Sequence, residues 1–227
     1  MIARRGVLGV FGFGFVGLTG GCGLFGGNSY RFKMTVEVDT SQGIKTGSSV
    51  FQVTARKLAA LTSEEAEVSD GLKGEAVIVD LTEGPVFVLL KSPQEALYLH
   101  RAATVALSGK MFTSLDELVD MVGDLGSWFG SAKAELPAKE WPLMVRFGDI
   151  KDPKSLEAVD PAAIGVKRIV LETTSDDVTT GIENRLMWLP AVYDMGIGPE
   201  FKPKGIPLGD FKRLFSTELE FRGHNTN

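Results

Sequence analysis

The chain has 227 residues but a single cysteine, Cys22, and only two histidines, His100 and His224. One thiol excludes an internal disulfide and a thiolate metal cluster, and two imidazoles leave little material for a histidine metal site or a histidine base. Three catalytic signatures are missing as well: G-x-S-x-G, H-E-x-x-H and the phosphate loop G-x-x-x-x-G-K-[ST]. Basic charge is in deficit, with 24 Lys and Arg against 29 Asp and Glu. Residues 1–22 hold Arg4 and Arg5 and no acid, so the body without them is more acidic still. Such a balance disfavours nucleic acid and anionic lipid surfaces as partners. What is present is 44% hydrophobic and 23% charged residues, enough to bury one full core.

Glycine is concentrated at the start. Within "GFGFVGLTGGCGLFGG" (12–27), Gly12, Gly14 and Gly17 spell G-x-G-x-x-G, and "GFGFVGL" resembles the glycine turn of nucleotide-sugar dehydrogenases, with Glu37 or Asp39 as the ribose-binding acid. That turn requires a following helix whose N-terminus faces the pyrophosphate. Six of the eleven residues from Gly17 to Gly27 are glycine. At roughly 0.8–1 kcal/mol each against alanine, they penalise such a helix by about 5 kcal/mol. An export signal needs no such helix. "MIARR" supplies the basic start, "GVLGVFGFGFVGL" the apolar stretch, and Thr19, Gly20 and Gly21 the small residues of a cleavage region, in the required order.

Small residues followed directly by cysteine resemble the lipobox of bacterial lipoproteins. The resemblance implies that Cys22 is acylated and the chain cut just before it; Thr19 stands where leucine is typical, with Leu18 one place early. Residues 6–25 carry no charge and are long enough to span about 30 Å of hydrocarbon, so a retained single-span anchor is the alternative address.

The body opens with "YRFKMTVEVDT", which alternates Tyr30, Phe32, Met34, Val36 and Val38 against polar residues and predicts a half-buried strand. "SQGIKTG" carries turn chemistry, and "SSVFQVTARK" resumes a strand with Val50 and Val53 inward across a bulge, giving a hairpin of 31–40 with 47–56. A second pair, 75–81 with 85–91, makes four strands and favours a meander. Ser92, Pro93 and Glu95 mark a helix start and Gly109 its end, predicting a helix over 93–107. Ser114 and Glu117 repeat the device for 115–129, with a stripe of Leu115, Leu118, Val119, Val122 and Leu125. Strands return at 143–150 and 167–174, separated by "KDPKSLEAVDPAAIG" with one or two helical turns. A last alternating run puts Leu214, Leu219 and Phe221 inward. The expected architecture is α+β, a mainly antiparallel sheet with two amphipathic helices packed on it, as one domain over 30–227.

Candidate chemistry in this body is sparse. His100 sits among alanines and reads as a core-edge residue; Ser48 or Ser49 would have to meet it for nucleophile catalysis. Asp149, Asp152, Glu157 and Asp160 crowd one linker, and Asp176 and Asp177 another, as material for a hard cation or a carboxylate-dependent hydrolase. Asp152 and Asp160 each precede a proline and also suit turn capping. Trp128, Trp141 and Trp188 read as core or rim residues. These residues assign no catalytic, metal or cofactor site.

Three segments, "YRFKMTVEVDTSQGIKTGSSVFQV" (30–53), "WPLMVRFGDIKDPKSLEAVDP" (141–161) and "VKRIVLETTSDDVTTGIENRLMWL" (166–189), resemble an uncharacterised family of small bacterial proteins often predicted to be lipoproteins. The resemblance implies an envelope address and no activity. The sequence therefore predicts a signal peptide over 1–21, a lipidated Cys22 with a flexible tether to 29, and an extracytoplasmic body on a membrane. Gly23, where aspartate would favour inner-membrane retention, points to the outer membrane in a cell with two. The expected role is noncatalytic binding or interaction, with a protein or small-ligand partner and no nucleic acid.

Overall fold

The structure, a computed structural model, describes residues 27–58, 67–90, 99–127, 131–190 and 216–224. Its first strand, β1 (Asn28–Thr40), follows from strict alternation: Tyr30, Phe32, Met34, Val36 and Val38 are all buried, while Arg31, Lys33, Thr35 and Glu37 lie on the outer face. β2 (Gly43–Leu58) returns antiparallel after a two-residue turn at Ser41 and Gln42. Thr40 Oγ1 donates to the Gly43 carbonyl at 2.6 Å, and Gly43 adopts a φ of 101° that favours glycine. The β1–β2 register runs unbroken from Asn28↔Ala55 to Thr40↔Gly43. The expected bulge is therefore absent, and Val53 and Val50 face opposite sides of the sheet.

β3 (Glu67–Glu75) pairs with β2 and in turn with β10 (Ser216–His224). β9 (Val166–Thr173) lies on the other flank of β1 and carries the short β6 (Lys133–Glu135), giving the order β10-β3-β2-β1-β9-β6. A second antiparallel sheet, in the order β4-β5-β7-β8, comprises β4 (Val77–Leu81), β5 (Gly84–Val88), β7 (Met144–Phe147) and β8 (Leu156–Val159). The sequence reading overlooked β3, β6 and β8. The meander is β1-β2-β3, and the 75–91 pair belongs to the other sheet. The 151–165 linker holds one 3-10 turn, Pro153–Ser155, before β8. Leu219 and Phe221 take register positions opposite Leu72 and Asp70; Leu214 lies outside the described residues.

The two sheets share a core. Val77, Val79, Val86, Val88, Met144 and Val159 from the second sheet join the inner face of the first. They approach so closely that a Cβ on Gly47 would lie 2.0 Å from the Ile78 carbonyl oxygen. The second sheet's other face, with Phe87, Leu89, Val145 and Leu156, is closed by Ile182, Leu186 and Leu189.

Helices α1 (Leu99–Ser108) and α2 (Leu115–Ser127) complete the main core with Leu99, Ala103 and Leu107, and with Leu118, Val119, Val122 and Leu125. The α+β architecture expected from the sequence is the one observed. α1 ends at Gly109, whose φ is 67° and whose N–H reaches the Val105 carbonyl at 3.0 Å. Its expected start signals, Ser92, Pro93 and Glu95, lie outside the described residues. At α2 the Ser114 hydroxyl accepts from the Glu117 N–H at 3.3 Å, and the Glu117 carboxylate reaches back to the Thr113 N–H at 2.6 Å.

α2 lies on β1 through glycines. A Cβ on Gly126 would sit 2.2 Å from the Ser29 carbonyl oxygen, a backbone atom. Alanine normally stabilises an exposed helix position by about 1 kcal/mol over glycine. Here the sign reverses: Gly126→Ala is expected to destabilise by about 1–3 kcal/mol, because helix and strand must separate. Urea unfolding of the variant checks this, and a midpoint at or above wild type refutes the close contact.

Candidate functional site

The inner row of β3 runs Val68, Asp70, Leu72, with a carboxylate where the alternation calls for an apolar residue. Asp70 is 1% exposed, and so is His100 on α1. The His100 Nε2–H donates to Asp70 Oδ2 at 2.7 Å, and Arg101 Nε donates to the same oxygen at 3.0 Å. From the next turn of α1, Thr104 Oγ1 donates to the His100 carbonyl at 2.7 Å and accepts from the Tyr30 hydroxyl at 2.9 Å. One polar chain thus joins β3, α1 and β1 inside the core. Burial is the largest influence on the Asp70 carboxyl and pushes it up; His100 and then Arg101 outweigh it and hold it below its ordinary range. Burial pushes the Tyr30 phenol strongly up, so it stays a neutral donor.

Glu75, at the point where the chain leaves the first sheet for the second, is also buried. Its carboxylate accepts the N–H groups of Gly181 at 3.0 Å and Ile182 at 2.8 Å, and its carbonyl accepts the Ser49 hydroxyl at 2.8 Å. Burial is the main reason its carboxyl is raised, and the two N–H groups act against it. Next to it, Thr179 exchanges hydrogen bonds with both backbone groups of Val50. The 174–182 segment therefore seals the edge of β2 that β3 leaves open, and this explains the burial of Val50 on the outer face.

The residues singled out from the sequence fall into place against this frame. His100 is fully buried and held by Asp70, deeper than a core-edge position, and the Ser49 hydroxyl is committed to the Glu75 carbonyl. A serine–histidine pair is not among the hydrogen bonds of the described residues. The acidic linker is a series of turns. Asp149 accepts from the Lys151 N–H, Asp152 from the Lys154 N–H and Asp160 from the Ala162 N–H, each at 2.9–3.0 Å. Among the described residues no three His, Cys, Asp or Glu gather as a cation site. Asp177 pairs with Arg31, which also donates to the Asp176 carbonyl. Trp141 donates to the Leu136 carbonyl and Trp188 to the Ile150 carbonyl, so both are partly buried supports. His224 takes the register position opposite Glu67. Gly12, Gly14, Gly17, Thr19, Gly20, Gly21, Cys22 and Trp128 lie outside the described residues.

A feature the sequence reading missed is a cleft of about 250 Å³ where the two sheets meet. Its walls are two hairpin tips, Asp39 to Ser41 between β1 and β2 and Leu81 to Gly84 between β4 and β5, with Arg146 of β7 and the turn at Ala163 and Ile164. The β1–β2 turn sequence was legible, but its meeting with a turn some 40 residues later depends on how the sheets pack. Arg146 Nη1 pairs with Glu83 at 3.3 Å across the rim.

No family model matches this chain, and no curated protein or solved structure matches it either.

Because the folded pKa of Asp70 is depressed, its stabilising contribution is present above the unfolded carboxylate value, about 3.9, and is lost as pH falls through the folded value. Asp70→Asn is expected to cost about 3 kcal/mol at neutral pH, since it leaves His100 and Arg101 without their carboxylate. The gap between wild type and variant narrows below about pH 4. Urea unfolding across pH 3–8 measures it, and a gap that is absent at pH 7 contradicts the buried pair.

Proposed function

We propose that this chain is a cell-envelope lipoprotein, held at a membrane surface through acylated Cys22, whose folded body binds or interacts and carries out no catalysis. The observation that carries the reading is the order of parts at the N-terminus: Arg4 and Arg5, an uncharged stretch, Thr19-Gly20-Gly21, then Cys22, with β1 opening at Asn28. Five residues, 23–27, separate the lipid-bearing position from the first strand, enough for a short tether rich in glycine. Lipid on this cysteine gives stable attachment when more than one chain is added, since each buried CH₂ contributes about 0.8 kcal/mol.

The noncatalytic part of the reading is supported by where the reactive side chains are engaged. His100 is bound to Asp70, Ser49 to a backbone carbonyl, and Asp149, Asp152 and Asp160 to backbone N–H groups of their own turns. The first two engagements join separate elements of the fold, and the three aspartates close their own turns. Among the described residues no helix is long and apolar enough to cross a membrane.

The test is radiolabelled palmitate feeding of a bacterium expressing wild type or Cys22→Ser, with the intact mass of each product. The expected result is a labelled wild type lacking residues 1–21 and an unlabelled variant that accumulates with its signal attached. A full-length, unlabelled wild type in the membrane means that residues 6–25 remain as an anchor. A full-length, unlabelled wild type in the soluble fraction rejects the envelope assignment.

A further inference from the structure

The inward row of β7 ends in an arginine whose donors are mostly unspent. Met144 belongs to the main core and Val145 to the opposite face, so Arg146, two residues beyond Met144, continues the row directed between the sheets. On the neighbouring β5 the same row holds Val88, opposite Met144, and then Val86. Where this row reaches the cleft, the alternation calls for an apolar residue and supplies a guanidinium instead. Nη1 donates to Glu83 Oε2 at 3.3 Å, and Nε and Nη2 have no hydrogen bond among the described residues.

The acids around this arginine leave room for a ligand. Glu83 sits on the β4–β5 turn with its side chain 81% exposed, so its contact is a long, one-nitrogen pair with a solvated carboxylate, which contributes little. A carboxylate seated on two nitrogens of the fork makes two parallel charge-assisted bonds, a stronger arrangement. Asp39 borders the cleft, but its side chain falls in the outer row of β1 with Thr35 and Glu37 and is exposed. Glu157 lies opposite Arg146 in the β7–β8 register, is exposed and is not part of the lining. Arg146 is therefore the one charge of the lining that strand alternation directs between the sheets.

The remaining walls restrict the ligand further. Leu81, Val86 and Ile164 supply an aliphatic surface continuous with the main core. No aromatic ring lines the cleft, so a planar base or a sugar face has nothing to stack on. Thr40 already donates to the Gly43 carbonyl and accepts the Gln42 N–H, which leaves Ser41 and Thr82 as hydroxyl donors. The volume, about 250 Å³, lies below the roughly 300 Å³ at which pockets for drug-sized ligands begin.

We propose that this cleft binds a small aliphatic carboxylate, with its two oxygens on the Arg146 fork in place of Glu83 and a body of about three to five carbons against Leu81, Val86 and Ile164. Glu83 is then an internal competitor, displaced into water when the ligand enters. This chemistry does not depend on lipid at Cys22.

The test uses the full chain in detergent, titrated by calorimetry and by NMR with n-butyrate, n-butylammonium and inorganic phosphate as separate probes. The expected result is saturable binding of butyrate in the roughly millimolar range, with phosphate at least threefold weaker and no binding of butylammonium. Arg146→Lys, which keeps the charge and removes the fork, is expected to weaken butyrate at least threefold while the urea midpoint stays near wild type. Glu83→Gln is expected to tighten butyrate about two- to fivefold, because the competing carboxylate is gone. That gain distinguishes a ligand site from a structural ion pair, and it keeps the test decisive if the Arg146 variant is unstable. No saturation by butyrate, equal binding of butylammonium or phosphate, unchanged affinity in a folded Arg146→Lys, or unchanged or weaker binding by Glu83→Gln each overturns the proposal. These outcomes are read on purified chain and are separate from those of the palmitate experiment.

Discussion

A carboxylate buried in an apolar interior is the constraint around which the main core is arranged. Asp70 sits between Val68 and Leu72 on the inward row of β3, where an unpaired charge would cost several kcal/mol. The fold meets that cost by bringing one turn of α1 to the strand with His100 and Arg101 directed at one carboxylate oxygen. Thr104, one helical turn on from His100, then carries the connection to Tyr30 of β1. The helix consequently has one rotation and one height on the sheet that satisfy both bonds, whereas its apolar face of Leu99, Ala103 and Leu107 alone would tolerate sliding. The polar chain specifies the packing, and the burial of apolar area drives it.

A similar logic governs the other buried acid. β3 turns away from β2 at Gly74, where φ is 148° and a Cβ would lie 2.5 Å from the Phe51 ring. Its departure leaves backbone groups of β2 without a partner, and an open edge of this kind invites pairing with another chain. The chain after β9 closes it internally. Arg31 holds the carbonyl of Asp176, Thr179 takes both backbone groups of Val50, and Glu75 fixes the N–H groups of Gly181 and Ile182. Once anchored there, the segment delivers Ile182, Leu186 and Leu189 onto the second sheet, covering a face that would otherwise expose Phe87 and Leu89. A single strap thus caps one sheet and roofs the other.

These two acids also mark the limit of what the sequence revealed. β1, β2, β4, β5 and both helices were legible because their periodicity is written in apolar residues and their ends in Ser, Glu and Gly. β3 reads "EVSDGLKGE": its alternation is present as Val68, Asp70 and Leu72, but a charge at the central inward position and two glycines conceal it. His100 was read as a core-edge residue for the same reason. Its partner lies 30 residues away on a strand that had not been recognised. β6 and β8, with three and four residues, are too short to show a period. The cleft was illegible on different grounds, since its two hairpin tips become neighbours only through packing of one sheet on the other.

That packing also gives the body a direction. β1 and β2 run the length of the first sheet, with Asn28 opposite Ala55 at one end and the Thr40–Gly43 turn at the other. The close passage at Gly47 places β4 against the half of β2 nearest that turn, so the β4–β5 tip comes to the same pole. Both tips are therefore as far from residue 28 as the sheet allows. A lipid at Cys22 would act six residues before the strand begins, too short a tether to let the body roll over and present its far end to the bilayer. The lipid-bearing end of the chain and the polar pole at the end of the first hairpin would then be two ends of one axis.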